Sequence, residues 1–345
     1  MRAGSLAVAI LAAACFTTAS AQVDPFAQNR RLGRGINIPG VYDRAKGTVP
    51  DPPMKPEYFT KIRDAGFRNV RLVVRWSSYS EQAAPFRIDP EFQRKVDWAV
   101  EQSLKNGLAV VLDFHYYPLI SFTGTEVSNE DPIENRKRFL ALWEQVAEHY
   151  KDAPPEVMFG LLNEPSRPNL GAEGWNKLIA EALPVLRRSN PRRTILIQSA
   201  NGGGFGSLDG LVIPEGESNV IVEVHYYDPP RFTHQQAPWT TYKIYKDVPW
   251  NATEEETKAV KDGFAKVAAW GSASKRPLYL GEFGAYQAGD MPSRGRWTRF
   301  VVQTAEDNKM SWAYWGFWRC GFDAFDQKTE DWTGPLVKAL MPAPK

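Results

Sequence analysis

Short runs of consecutive apolar residues recur along the chain, and each is followed by a longer stretch in which apolar positions return every three or four residues. The runs are too short for helices and apolar on both faces, as buried parallel strands require, whereas the longer stretches carry the helical period. The strand candidates are residues 34–38, 70–76, 108–114, 159–165, 194–198, 220–224, 277–284 and 311–317. Helices are expected at about 56–65, stopped at Gly66, and after Asp89-Pro90, where an N-cap and a proline open a stretch with Phe92, Val96, Val100 and Leu104 on one face and Asn106-Gly107 at its end. Further helices are expected around Phe139, Leu142, Trp143, Val146 and Tyr150, and at 172–188, 254–269, 294–308 and 336–340. Behind the fifth run, Asn201-Gly202-Gly203-Gly204 is too rich in glycine for a regular helix, so that helix should be short or missing. Eight strand–helix units with no linker or low-complexity segment between them predict an α/β chain folded as a single (β/α)8 TIM barrel.

What stands at the ends of the runs changes the picture from fold to chemistry. Asn37, Arg71, His115, Asn163 with Glu164, His225 with Tyr227, Glu282 and Trp315 each follow an apolar run, on the face where barrels build their sites. One such residue is most often a structural hydrogen-bonder, but seven strand ends with polar or aromatic residues are hard to explain by stability alone. Two carboxylates without a metal suit glycoside hydrolysis, in which one protonates the leaving oxygen and the other attacks the sugar carbon or activates water. A cation such as Arg71 and a donor such as Tyr227 would keep one carboxylate ionised, and a less favourable environment would keep the other protonated. Asn163 could bond the hydroxyl beside the reacting carbon, and Trp315 could floor the site.

Other chemistries fit less well. His115, His225 and His234 could lie near the mouth, but no His-x-His or His-x-x-x-His pair exists, and His149 falls on an outer helix. No G-x-S-x-G elbow and no glycine-rich loop with a lysine for phosphate is present. No cofactor and no metal are therefore expected. A formal charge of +2 with no cluster of Lys or Arg argues against a nucleic-acid partner. Twelve Trp and thirteen Tyr exceed the needs of a core and suit surfaces that meet sugars, although the core remains the default place for any one of them.

The N-terminus has a processing pattern: Arg2, an apolar segment at 6–16, and Ala19-Ser20-Ala21 before Gln22. That segment is shorter than the ~20 residues that span a bilayer. The expected division is a signal peptide at 1–21 and a catalytic domain at 22–345, exported to the periplasm or the medium, with no membrane attachment after cleavage and monomeric. Removing the leader takes Cys15 with it and leaves Cys320 alone, so no intrachain disulfide is expected.

Asn163-Glu164-Pro165 after the fourth run and Gly281-Glu282-Phe283-Gly284 on the seventh, with Val70-Arg71-Leu72, His115, His225-Tyr226-Tyr227 and Trp315 in that order, resemble family 5 of the glycoside hydrolases, in clan A. The resemblance runs over essentially the whole mature length. It implies a retaining double displacement with Glu164 as acid/base and Glu282 as nucleophile, Arg71 and Tyr227 supporting the nucleophile, His225 the acid/base, and His115 and Asn163 the substrate hydroxyls. Phe232-Thr233-His234-Gln235 and Trp239 look like the sixth loop of the endoglucanase branches, where the His and Trp face substrate. Tyr116 departs from the family, many members of which carry a second histidine there. The expected activity is an endo-β-1,4-glucanase acting on a β-linked polysaccharide or oligosaccharide. A β-mannanase, a mixed-linkage β-glucanase or xyloglucanase, a non-catalytic carbohydrate-binding barrel, and a metal-dependent hydrolase are the alternatives. Retention predicts carboxyl groups about 5 Å apart, and a separation beyond about 6.5 Å would contradict it.

Overall fold

The computed structural model describes residues 23–47, 54–117, 132–165 and 170–342. The eight runs are strands: β1 (Arg34–Ile38), β2 (Asn69–Val74), β3 (Ala109–Phe114), β4 (Val157–Gly160), β5 (Ile195–Gln198), β6 (Val220–Tyr226), β7 (Leu278–Phe283) and β8 (Ser311–Tyr314). They pair in parallel in chain order, and β8 returns to β1 with Gly35 opposite Ala313, which closes the barrel. The (β/α)8 architecture is therefore the observed one.

The helices that follow the strands are α2 (Pro56–Asp64), α3 (Pro90–Lys105), α4 (Pro132–His149), α5 (Gly171–Ser189), α7 (Glu254–Ser274), α8 (Met291–Asp307) and α9 (Gly334–Leu340). Local chemistry explains their starts. Asp89 accepts from the Glu91 amide at 2.9 Å ahead of Pro90, and Thr253 and Glu256 form a reciprocal capping box at α7. After β5 only a 3-10 turn, Phe205–Gly210, stands in for a helix, as the glycine run implies.

Several boundaries differ from the sequence expectation. Residues 161–165 lie beyond β4, although Leu161 N still bonds Leu196 O and Asn163 N bonds Phe114 O. The apolar run thus continues extended past the ladder and delivers Glu164 on a turn at φ +43°. Trp76 lies not in β2 but in a buried 3-10 turn, Trp76–Tyr79. Two elements were not expected: α1 (Pro25–Leu32), capped by Asp24, and α6 (Pro230–Thr233), which opens the loop after β6. The hairpin β9 (Phe325–Asp326) and β10 (Asp331–Trp332) was not expected either. The expected signal peptide lies outside the described residues, among which no helix is long and apolar enough to cross a membrane.

Inside the barrel the layers divide by chemistry. Leu32 of α1 and the inward Ala109, Val111, Met158, Leu196, Ile221, Tyr279 and Ala313 form an apolar plug. Above it Arg71, Asp113, Glu223 and Glu282 form a buried charged layer. Room for that layer comes from glycine. A Cβ on Gly281 would lie 2.0 Å from Glu223 Oε1, and one on Gly160 would lie 2.7 Å from Asp113 Oδ1. The Gly281 region also breaks the ladder: Val224 pairs Leu280 but His225 pairs Glu282, so β7 takes two steps against one on β6. Such a bulge re-aims side chains. Here it turns both Gly281 and Glu282 inward.

Candidate active site

Arg71, fully buried at the middle of β2, organises the site. Its Nη1 donates to Glu282 Oε1 at 2.9 Å and to Asn37 Oδ1 at 3.0 Å, and its Nη2 donates to Asn163 Oδ1 at 2.8 Å. Nη2 also lies 3.1 Å from Asp113 Oδ2, and Nε lies 2.9 Å from Glu223 Oε1. Burial disfavours the guanidinium, but Asp113, Glu223 and Glu282 outweigh it and hold Arg71 charged. A buried cation is stable only when paired in this way.

Glu282 has a donor on each carboxylate oxygen: Arg71 on Oε1, and the Tyr227 hydroxyl on Oε2 at 2.9 Å. Burial pushes its carboxyl above the ordinary value, while the His225 and Arg71 charges pull against it. Burial also pushes the Tyr227 phenol well up, so it remains a donor. Glu164 is more open, with 22% of its side chain exposed, and its Oε1 is held by His225 Nδ1 at 2.9 Å. Its amide donates to Gln198 Oε1 at 2.9 Å, which fixes the turn that presents it. Burial lowers the pKa of His225, but the Glu282 charge and the bonds to Glu164 and Glu223 prevail and raise it to about 10. An oxygen of Glu164, an oxygen of Glu282 and a ring nitrogen of His225 all lie within 4.8 Å of one another.

The remaining expected residues gather around this pair. His115 Nδ1 is held by Asp113 Oδ2 at 3.0 Å, and its ring stacks on Trp315 at 5.2 Å and 13°. His234 packs edge-to-face on Tyr227 at 4.9 Å, and burial lowers its pKa to about 4, which leaves it neutral above that pH. Trp239 stands farther out, 55% exposed, with its ring 5.0 Å from that of Tyr286. Asn37 differs from its neighbours: wholly buried, its amide donates to the carbonyls of Gly281 and Tyr314 while its oxygen accepts from Arg71, so it supports the site without facing the cleft. His149 lies outside on Asp97, as expected.

Three participants were missed. Asp113, Glu223 and Gln198 are buried and bind Arg71, His225 and the Glu164 amide. The available signal was parity: in a strand, residues two apart share a face, so Asp113 goes with His115 and Glu223 with His225. Burial pushes Glu223 up, but Arg71 and His225 outweigh it and hold it below the ordinary carboxylate value.

Among the described residues Glu164, His225 and Glu282 are the one set that could offer converging ligand atoms to a metal. The donor set argues otherwise. Both Glu282 oxygens already accept from Arg71 and Tyr227, and a guanidinium at 2.9 Å stands where a metal would need open lone pairs.

A family model described as Cellulase (glycosyl hydrolase family 5) matches residues 33–321. Endoglucanase H of Acetivibrio thermocellus is 29% identical over 85% of this chain, which spans 30% of that protein's length. Endoglucanase C of the same organism is 25% identical over 81% of this chain and 88% of its own. The crystal structure of endoglucanase Cel5A from Thermotoga maritima superposes with a TM-score of 0.85 at 40% identity, covering 92% of this chain and all of that one. Structures of Cel5A in complex with cellobiose and with mannotriose are similar to the chain at 39% identity.

Proposed function

Because the chain belongs to family 5 of the glycoside hydrolases, we propose that it is an exported endo-β-1,4-glucanase that cleaves β-glucan with retention. Glu282 is the nucleophile and Glu164 the acid/base. In the first step Glu164 protonates the glycosidic oxygen while Glu282 Oε2 or Oε1 attacks the anomeric carbon, the C–O bond to the leaving chain breaks, and a glycosyl ester forms. In the second step Glu164, now a carboxylate, takes a proton from water, whose oxygen attacks the same carbon and restores Glu282.

The observation that carries this assignment is the asymmetry of the pair. Glu282 holds two donors that favour its ionised form, whereas Glu164 is the more open carboxyl. The Glu164 charge opposes ionisation of Glu282, so a proton carried by Glu164 as the acid favours the ionised nucleophile. Their oxygens, within 4.8 Å, fit the ~5 Å spacing of retaining enzymes rather than the ~6.5–9.5 Å that leaves room for a water. His115 and the Asn163 amide serve the substrate hydroxyls, Trp315 floors the glycone, and His234 with Trp239 faces the rest of the chain.

Proton NMR of the first product tests retention: the β anomer should appear first and mutarotate later. Mannan is the second substrate to consider, because a similar enzyme was solved with mannotriose as well as cellobiose. Assays of one preparation on carboxymethylcellulose, barley glucan, xyloglucan and mannan rank these. Export as a monomer free of the membrane completes the proposal, with a mature N-terminus at Gln22 as its check by mass spectrometry.

A further inference from the structure

Gln198, the buried last residue of β5, is tied to Glu164 by two routes. Its Oε1 accepts from the Glu164 amide at 2.9 Å, and its Nε2 donates to Glu223 Oε1 at 3.0 Å. The same Glu223 oxygen lies 3.3 Å from His225 Nε2, and His225 Nδ1 holds Glu164 Oε1 at 2.9 Å. These contacts close a ring that leaves from the backbone of Glu164 and returns to its carboxyl. A backbone N–H can only donate, so the Glu164 amide fixes which way the Gln198 carboxamide points. From outside the barrel, Trp175 Nε1 on α5 donates to Gln198 O at 2.8 Å and holds the strand end.

Glu164 needs such a hold. Its φ of +43° is left-handed, a conformation that is costly for a residue other than glycine and persists only where the surroundings enforce it. The glycine run behind β5 supplies the room. A Cβ on Gly203, which has φ +67°, would stand 2.6 Å from Gln198 Oε1, the atom that accepts from Glu164. The Gly203 carbonyl accepts from His225 N at 3.0 Å, and Gly202 N donates to Pro165 O at 3.4 Å. The segment too rich in glycine for a helix thus lies against both the turn that carries Glu164 and the strand that carries His225.

We propose that Gln198 is a positioning residue for the acid/base, and that residue 203 is glycine so that Gln198 can reach Glu164. The proposal rests on the assignment of Glu164 as acid/base above. The bonds of the Gln198 side chain run to Glu164, Glu223 and the neighbourhood of His225, so its loss should weaken proton donation more than nucleophilic attack.

The test compares kcat/KM, which for a double displacement reports the first step, on cellotetraose and on dinitrophenyl cellobioside. The first leaving group needs a proton and the second does not. The readout is the ratio of the two values on one preparation, from which the folded fraction cancels. Gln198→Met, similar in size but without the amide, and Gly203→Ala should each lower the cellotetraose value about ten- to hundredfold and leave the aryl value within about threefold. Gln198→Asn, whose amide is a methylene too short, is the milder variant and should move the ratio the same way. Gly216→Ala carries the same kind of left-handed strain, at φ +86°, with no atom within 4 Å of the added carbon, and should leave the ratio unchanged. A ratio that stays in place in the Gln198 variants, whether both rates hold or both fall together, overturns the positioning role. A ratio that moves in those variants but not in Gly203→Ala overturns the part given to Gly203. Glu164→Gln with an unchanged ratio overturns the acid/base reading beneath the proposal.

Discussion

Tyr227→Phe isolates the feature that separates the two carboxyls. The change deletes the hydroxyl that donates to Glu282 Oε2 at 2.9 Å and keeps the ring against His234 and Phe322. A hydrogen bond to a charged group contributes about 1.5–3 kcal/mol, and one pKa unit is ~1.4 kcal/mol, so the nucleophile's pKa should rise about one to two units. The sign follows from what the bond stabilises: the phenol favours the ionised Glu282, and its loss favours the protonated form. The acid limb of kcat/KM, which reports the free enzyme's base, should therefore move to higher pH by that amount. The plateau should fall less than the low-pH rate, because the carboxylate gives up its charge as it bonds the sugar carbon. The assay is kcat/KM against pH on a soluble cello-oligosaccharide. An acid limb that stays in place, or moves to lower pH, would refute the argument that Tyr227 holds the nucleophile ionised.

Other outcomes follow from the same geometry. Glu164→Gln should lower kcat/KM by about 10²–10⁴ on glucosides with sugar leaving groups but far less on dinitrophenyl glycosides, whose leaving group needs no proton in the first step, while kcat on the latter still falls because water has lost its base; steady-state kinetics on both checks this. Gly281→Ala puts a Cβ 2.0 Å from Glu223 Oε1 and should displace Glu223 from Arg71. Loss of a buried ion pair of this kind costs about 3–5 kcal/mol in denaturant unfolding, whereas Gly206→Ala, with no atom within 4 Å of the added carbon, should stay within ~0.5 kcal/mol. The pKa of His225 is raised from 6.5 to about 10, so its contribution is fully present below pH 6.5 and lost as pH rises through 10. Urea midpoints should decline across that window by at most roughly 5 kcal/mol in stability, with a shallower decline in His225→Gln. Activity should persist in excess EDTA, and its abolition would favour a metal at Glu164, His225 and Glu282.

The barrel and its two carboxylates were legible because they rest on local signals. An apolar run ending in a polar residue announces a parallel strand that feeds a site, and Glu164 and Glu282 stand where that signal puts them. The buried layer beneath was less legible for a physical reason. Asp113, Glu223 and Gln198 interrupt apolar strands, and only closure of the barrel brings them onto Arg71 and His225. Gly281 reads as an ordinary strand glycine until the β6–β7 register shows the bulge that turns Glu282 inward. Helix α1 carries Asp24 and Pro25, clear start signals, but its mostly polar sequence lacks a wide apolar face, since it buries Gln28 and Asn29 with Leu32 beneath the barrel. His234 and Trp239 entered through family resemblance, because nothing in a long loop's sequence says which residues turn back toward the cleft.

Mass spectrometry of the trapped intermediate tests the central claim most directly. The protein would be incubated with a 2-deoxy-2-fluoro cellobioside carrying a good leaving group, digested and mapped. The account predicts one added glycosyl group on the peptide that contains Glu282, removed when a second sugar is supplied as acceptor. A label on Glu164, or no covalent adduct from an enzyme that still turns over the unfluorinated glycoside and releases the α anomer first, would contradict it.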